Sequence, residues 1–201
     1  GTLPKSLRRK FCGIGVQPHN INLFLERFKL VNGIPLLAES PEQAAQNTVD
    51  LVAKNGGKTL YIASIFDEVY QPLQSAAEKS SIKIYGDLHG RDAVERLKSV
   101  DASVTAAAAA VAESGAVVEV AHDDAVRLAS SLPKIHVMLV KSSTIYRSVS
   151  ELSTLLREAL GERVAAVTLI SGPSRSGDIE QRLVVGIHGP NVVAAVVLKW
   201  L

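Results

Sequence analysis

Residues 41–64, PEQAAQNTVDLVAKNGGKTLYIAS, hold one complete helix-to-strand unit, and their reading decides the fold class. Ser40 stands where a hydroxyl caps a helix, Pro41 falls at the first helical position, and the helix closes on Gly56-Gly57. Thr59–Ser64 is a short apolar run rich in β-formers and reads as a buried strand. The alternation continues outward. Helices are expected at Gln71–Ser80, Asp92–Ser99, Ala106–Glu113, Asp123–Ser130 and Ser150–Leu160. Strands are expected at Ile82–Tyr85, Ala102–Thr105, Ala116–Val120, Ile135–Lys141 and Arg163–Ile170. Arg182–His188 and Val192–Lys199 read as two closing strands joined by a tight Gly189-Pro190-Asn191 connection. The sum is an α/β fold: a mainly parallel sheet with helices on both faces and a mixed or antiparallel C-terminal portion. Residues 1–30 read as an N-terminal helical arm on a single domain spanning 31–201, since no linker rich in Pro, Gly or Ser divides the chain.

The chain has 201 residues, of which 47% are hydrophobic, 4% aromatic and 21% charged, which excludes disorder and a coiled coil. Its single cysteine, Cys12, excludes a disulfide framework, a zinc-finger module and a self-contained iron–sulfur cluster, and points to a reducing compartment. The net charge of +2 is uneven, because Lys5, Arg8, Arg9 and Lys10 supply four of the 22 basic residues. The remainder balances 18 basic against 20 acidic residues, without basic patches or aromatic platforms, so nucleic acid is not an expected partner. Ala106–Ala110 and Val192–Leu198 are too short to span a bilayer, and no secretory signal is read at the start. A soluble cytoplasmic protein is expected.

Two motifs suggest metals and fail on context. Tyr85–Asp92, YGDLHGRD, resembles the first motif of metallophosphoesterases, but the further ligands of a two-metal site are missing from the sequence. It reads instead as a strand-to-helix turn capped by Asp92. His122-Asp123-Asp124 reads as the capped start of a helix. His136, inside an apolar strand, reads as a hydrogen-bonded core histidine, and Cys12 has neither a base nor a resolving thiol beside it. No metal site is expected.

Three signals carry chemistry. Ser171–Glu180, SGPSRSGDIE, follows a predicted strand and suits an anion. Ser171, Ser174 and Ser176 offer hydroxyls, Gly172 and Gly177 admit close backbone approach, and Arg175 can grip a carboxylate or phosphate bidentately. Asp178 and Glu180 set two carboxylates beside it. In parallel α/β sheets ligands bind beyond the carboxyl ends of the strands, and this loop is expected there. His188-Gly189-Pro190 fixes a histidine at a strand end, where it can serve as acid, base or carboxylate anchor. Ala112-Glu113-Ser114-Gly115 puts a carboxylate at the end of an expected helix, facing the negative end of its dipole.

Together these segments resemble the lactate-utilisation protein C family, whose LUD domain is grouped with the ribose-phosphate isomerase and CoA-transferase-like (NagB/RpiA) fold. The resemblance rests on Thr105, the 112–115 segment, Pro133 with His136-Val137, SGPSRSGDIE at 171–180 and GIHGP at 186–190. Phe24–Val31, Ile34–Glu39 and the helix from Pro41 fit the family's opening. Ala116 stands where the family usually has a hydroxyl residue, and Ser176-Gly177 where Thr-Ala is common. The resemblance implies an accessory component of L-lactate oxidation that works with iron–sulfur partner proteins and holds no cofactor of its own. It also implies a cleft for a small anionic metabolite. Glu113, Asp178 and His188 would be its reactive groups, with Thr105, Gly115, Ser171, Gly172, Pro173, Ser174, Arg175, Ser176, Glu180 and Gly189 binding the ligand. Two alternatives stay open. One is an acyl- or CoA-transfer or sugar-phosphate isomerase enzyme, because Glu113 resembles the nucleophilic Glu of related CoA-transferases. The other is a non-catalytic scaffold for the iron–sulfur proteins.

Overall fold

The computed structural model describes residues 18–86, 93–153, 156–157, 166–173, 175–176, 184–185 and 189–201. Cys12, the stretch 87–92 within YGDLHGRD, and Ser174, Asp178, Glu180 and His188 lie outside them.

The opening unit forms as its sequence dictates. After β1 (Ile34–Ala38), Ser40 Oγ accepts the Gln43 N–H at 3.2 Å and caps α2 (Pro41–Lys54) with Pro41 in its first turn. The Gln43 side chain reaches back to accept the Glu39 N–H at 2.7 Å, one residue before the cap, and ties the incoming chain to the first turn. Then follow β2 (Thr59–Ile62), α3 (Asp67–Lys79), β3 (Lys83–Tyr85), α4 (Ala93–Lys98) and β4 (Ala102–Ala106). The helix expected from Gln71 starts a turn earlier, at Asp67.

The expected helix Ala106–Glu113 does not form. The chain instead makes β5 (Ala109–Val111), a turn over residues 112–115 and β6 (Ala116–Ala121), paired antiparallel with Val111 opposite Ala116. A run of alanines has no apolar periodicity to read, and the intrinsic preference of Ala for helix is weak against tertiary packing. Ala107, Ala109, Ala110 and Ala112 are all buried, and their small side chains let a second sheet lie close. The rest comprises α5 (Asp124–Ala129), β7 (Ile135–Lys141), β8 (Ile145–Tyr146), a short 3₁₀ turn (Val149–Leu152), β9 (Ala166–Ile170), β10 (Arg175–Ser176), β11 (Val184–Val185) and β12 (Val192–Leu198). A helix, α1 (Pro18–Leu30), precedes β1.

Six strands form one sheet in the order β1-β12-β7-β4-β2-β3, every neighbour parallel. The antiparallel portion lies elsewhere: a mixed sheet ordered β8-β5-β6-β9, and the pair β10-β11. The two closing strands therefore do not pair with each other. Val192–Leu198 is apolar throughout and needs both faces covered, so it slots between β1 and β7 in the parallel sheet.

Helices α2 and α3 cover one face of the large sheet, with Val49, Val52 and Leu73 packed on Leu60, Val104, Val137, Leu139 and Val196. The other face carries two separate clusters. One joins Met138, Val140, Val193 and Ala195 to Phe24 and Phe28 of α1 and to Ala110 and Val117 of the mixed sheet. The second gathers Tyr61, Leu97, Val100 and Ala129 under α4 and α5. The connection after β2 runs to the first face and that after β4 to the second, so the strand order switches between β2 and β4. Among the described residues no helix is long and apolar enough to cross a membrane.

Candidate functional site

The fold brings two of the three sequence signals to one place. Turn 112–115 follows Val111, and Ser171 follows Ile170, which pairs with Val117. Both segments therefore emerge at the same end of the mixed sheet. There each meets the C-terminal end of α1 through a glycine with positive φ. Gly115 (φ 61°) places a would-be Cβ 2.6 Å from the backbone of Arg27 and Phe28. Gly172 (φ 79°) places one 2.2 Å from the Val31 carbonyl oxygen. What these glycines admit in this structure is the α1 backbone.

Glu113 is exposed, and its Oε1 accepts the Val149 N–H at 3.1 Å, while its own N–H donates to the Arg147 carbonyl at 3.0 Å. The carboxylate thus ties the turn to the 3₁₀ turn after β8. Ser171 is exposed, Gly172 and Pro173 are half-buried, and Arg175 and Ser176 form β10. Because α1 leads into β1, this end of the mixed sheet lies at the amino edge of the parallel sheet, not the carboxyl edge the sequence suggested. The reason is that β9 belongs to the mixed sheet, so the rule for parallel strands does not govern the loop it carries. Gly189 (φ 105°) and the buried Pro190 precede β12 at that same amino edge, where the Asn191 N–H donates to the Lys134 carbonyl at 2.9 Å.

Thr105 is elsewhere. It lies near the carboxyl end of β4, beside the switch between β2 and β4, and is fully buried. Its hydroxyl donates to Oε1 of Glu119 on β6, and its Oγ1 lies 2.8 Å from Nε2 of His136 on β7. Nε2 is also 3.2 Å from Glu119 Oε1. All three side chains are at most 3% exposed. Glu119 lies four residues along β6 from Gly115, about 13 Å at strand spacing, so this cluster and the 112–115 turn are distinct places.

Alternation explains the convergence. Thr105 and His136 share the face of the large sheet that also bears Ser103, Met138 and Val193, and Glu119 points the same way as Val117, toward that face. Glu119 was missed in the sequence. The signal was there: a carboxylate inside the apolar strand AVVEVA, where an unpaired charge is too costly to bury. His136 is the hydrogen-bonded core histidine expected of it, except that its buried Nδ1 has no partner among the described residues. Asp123 caps α5 by accepting the Val126 N–H at 3.0 Å, and Asp124 pairs with Arg127. Among the described residues no three His, Cys, Asp or Glu side chains gather as a metal site.

The architecture defines an α/β protein with a parallel sheet, a mixed sheet on one face and a buried Thr–Glu–His cluster between them. Residues 21–198 match the LUD domain, and the chain belongs to that family. It is 33% identical to Lactate utilization protein C of Anoxybacillus flavithermus over 142 residues, which are 70% of this chain and 63% of that protein. It is 35% identical to the protein of the same name from Halalkalibacterium halodurans over 121 residues, 59% of this chain and 53% of that one. The match thus spans less than two thirds of these relatives. The crystal structure of a DUF162 family protein from Deinococcus radiodurans superposes with a TM-score of 0.67 at 19% identity, covering 90% of this chain and 98% of that one, which establishes the fold.

Proposed function

We propose that this chain serves lactate utilisation as a LUD-domain component that binds a small anionic metabolite and works beside iron–sulfur proteins of lactate oxidation. The relatives named Lactate utilization protein C support the pathway. The observation that carries the binding reading is the meeting of the Glu113 turn with the Ser171–Pro173 segment at one end of the mixed sheet. Basic residues stand beside these segments: Arg27, whose backbone meets Gly115, and Lys29 in the last turn of α1, Arg147, whose carbonyl accepts the Glu113 N–H, and, close in sequence to Ser171, Arg175. Asp178, Glu180, Ser174 and His188 belong to this reading as groups that would complete the site, whereas Thr105 lies apart from it in the buried cluster. The Glu113 carboxylate accepts the Val149 N–H, and no specific observation favours a second reading.

The test pairs genetics with calorimetry. Deleting the gene is expected to abolish growth on L-lactate and spare growth on glucose, and the full-length protein is expected to bind L-lactate or pyruvate. Unimpaired growth on lactate, with no binding heat from either probe, defeats the proposal.

A further inference from the structure

We infer that the buried cluster of Thr105, Glu119 and His136 is a carboxylate-binding site, with the His136 Nδ1–H as its anchoring donor. This deepens the functional reading above, on which its ligand class rests.

A carboxylate that is only 3% exposed is costly to bury unless a cation or hydrogen-bond donors face it. The basic group within reach of Glu119 in the cluster is His136, with Nε2 3.2 Å from Oε1. Where the ring serves as that cation, each nitrogen carries a hydrogen, so Nε2–H faces Thr105 and Glu119 and Nδ1–H is left over. Among the described residues that Nδ1 has no hydrogen-bond partner, and His136 is fully buried. A buried donor left unmade costs about 1–3 kcal/mol, and more when the group is charged, so the fold gains nothing by keeping it. What the site lacks is an acceptor oxygen, and a small carboxylate supplies one.

The place suits a ligand. His136 lies across the sheet from Ser103 on one side and Val193 on the other, and Ser103 in turn lies across from Tyr61. Val193 belongs to the cluster under α1 and the mixed sheet, and Tyr61 to the cluster under α4 and α5. His136 therefore stands between the two apolar clusters on this face of the sheet. The six-residue helix α5 covers its neighbour Ser103, whose hydroxyl donates to the Ala129 carbonyl at 2.6 Å. Thr105 is close to the carboxyl edge beside the β2–β4 switch, the position where open α/β sheets take their ligands.

The experiment is long-range proton–nitrogen NMR on the full-length protein labelled with ¹⁵N-histidine, with L-lactate and pyruvate as probes. Nδ1 of His136 is expected to carry a hydrogen in the free protein, and its resonance to move on saturation with either probe. Glu119→Gln is expected to weaken binding by about tenfold or more, and His136→Phe to abolish it. The wild-type spectra decide the matter even if neither variant folds. A bare Nδ1, or a resonance that stays fixed while calorimetry records binding, overturns this site and leaves the wider reading standing. A fixed resonance with no binding heat overturns both.

Discussion

Gly172 gives the sharpest test of how the two sheets and α1 are fitted together. Ala in place of Gly172 meets two penalties. The first is the left-handed backbone at φ 79°, which costs an L-residue about 1–2 kcal/mol. The second is the new Cβ, placed 2.2 Å from the Val31 carbonyl oxygen and 3.3 Å from the Gly33 nitrogen. Both are backbone atoms at the end of α1, so relief requires the helix end to shift, at the roughly 1–3 kcal/mol typical of overpacking. Gly56 is the internal control: its φ is 75°, almost the same, but a Cβ there meets nothing within 4 Å. Ala restricts the unfolded chain equally at both sites, returning about 0.4–1 kcal/mol. Gly56→Ala is therefore expected to lose about 1 kcal/mol or less, and Gly172→Ala about 2–4 kcal/mol. Gly115→Ala, with φ 61° and its Cβ 2.6 Å from the Phe28 nitrogen, is expected to follow Gly172. Urea unfolding followed by far-UV circular dichroism measures all three. Equal losses at Gly172 and Gly56 refute the reasoning, because they would mean that α1 does not press on Gly172.

Asp101 Oδ2 accepts the Lys58 N–H at 2.8 Å, the Thr59 N–H at 3.0 Å and the Thr59 hydroxyl at 2.8 Å, joining the amino ends of β2 and β4. Burial pushes its carboxyl up, but these donors and the charge of Lys134 outweigh it and hold it below the ordinary aspartate value of 3.8. Its contribution is thus complete above pH 3.8 and fades as the pH falls through the lower folded-state value; Asp101→Asn is expected to flatten that acid limb, and an unchanged acid-unfolding profile contradicts the assignment. In the buried cluster, Glu119→Leu alone is expected to cost about 3–5 kcal/mol, whereas Thr105→Val, Glu119→Leu and His136→Phe together cost little or stabilise. A triple variant as unstable as the single one shows instead that the fold depends on the network. Ser40→Ala removes the α2 cap and is expected to cost about 1 kcal/mol by thermal unfolding, with Ser40→Gly losing less.

What the sequence disclosed, and what it hid, divides along one physical line. Where local chemistry and tertiary demand agree, as in Ser40-Pro41 and Gly56-Gly57 around α2, the element was legible residue by residue. Where packing overrides local preference it was not. The alanines after β4 favour a helix in isolation but lie between two sheets, and a chain of identical small residues has no period to betray that. The same hidden sheet misplaced the Ser171 loop, since a loop's edge depends on which sheet its strand joins. The site split along the same line. Glu113 and the Ser171 segment are conspicuous because each pairs a polar group with a glycine, and they do meet; yet the approach those glycines permit is that of the α1 end. Glu119 is inconspicuous because no motif surrounds it. A charge at a buried strand position has two explanations, a partner across the core or a ligand. The structure supplies the partners, Thr105 and His136, and still leaves Nδ1 without one among the described residues. A network built only to hold the sheets together would be more stable closed or replaced by apolar side chains. The open donor is the reason to look for chemistry in the core of this domain, as well as at the surface loops that the sequence made conspicuous.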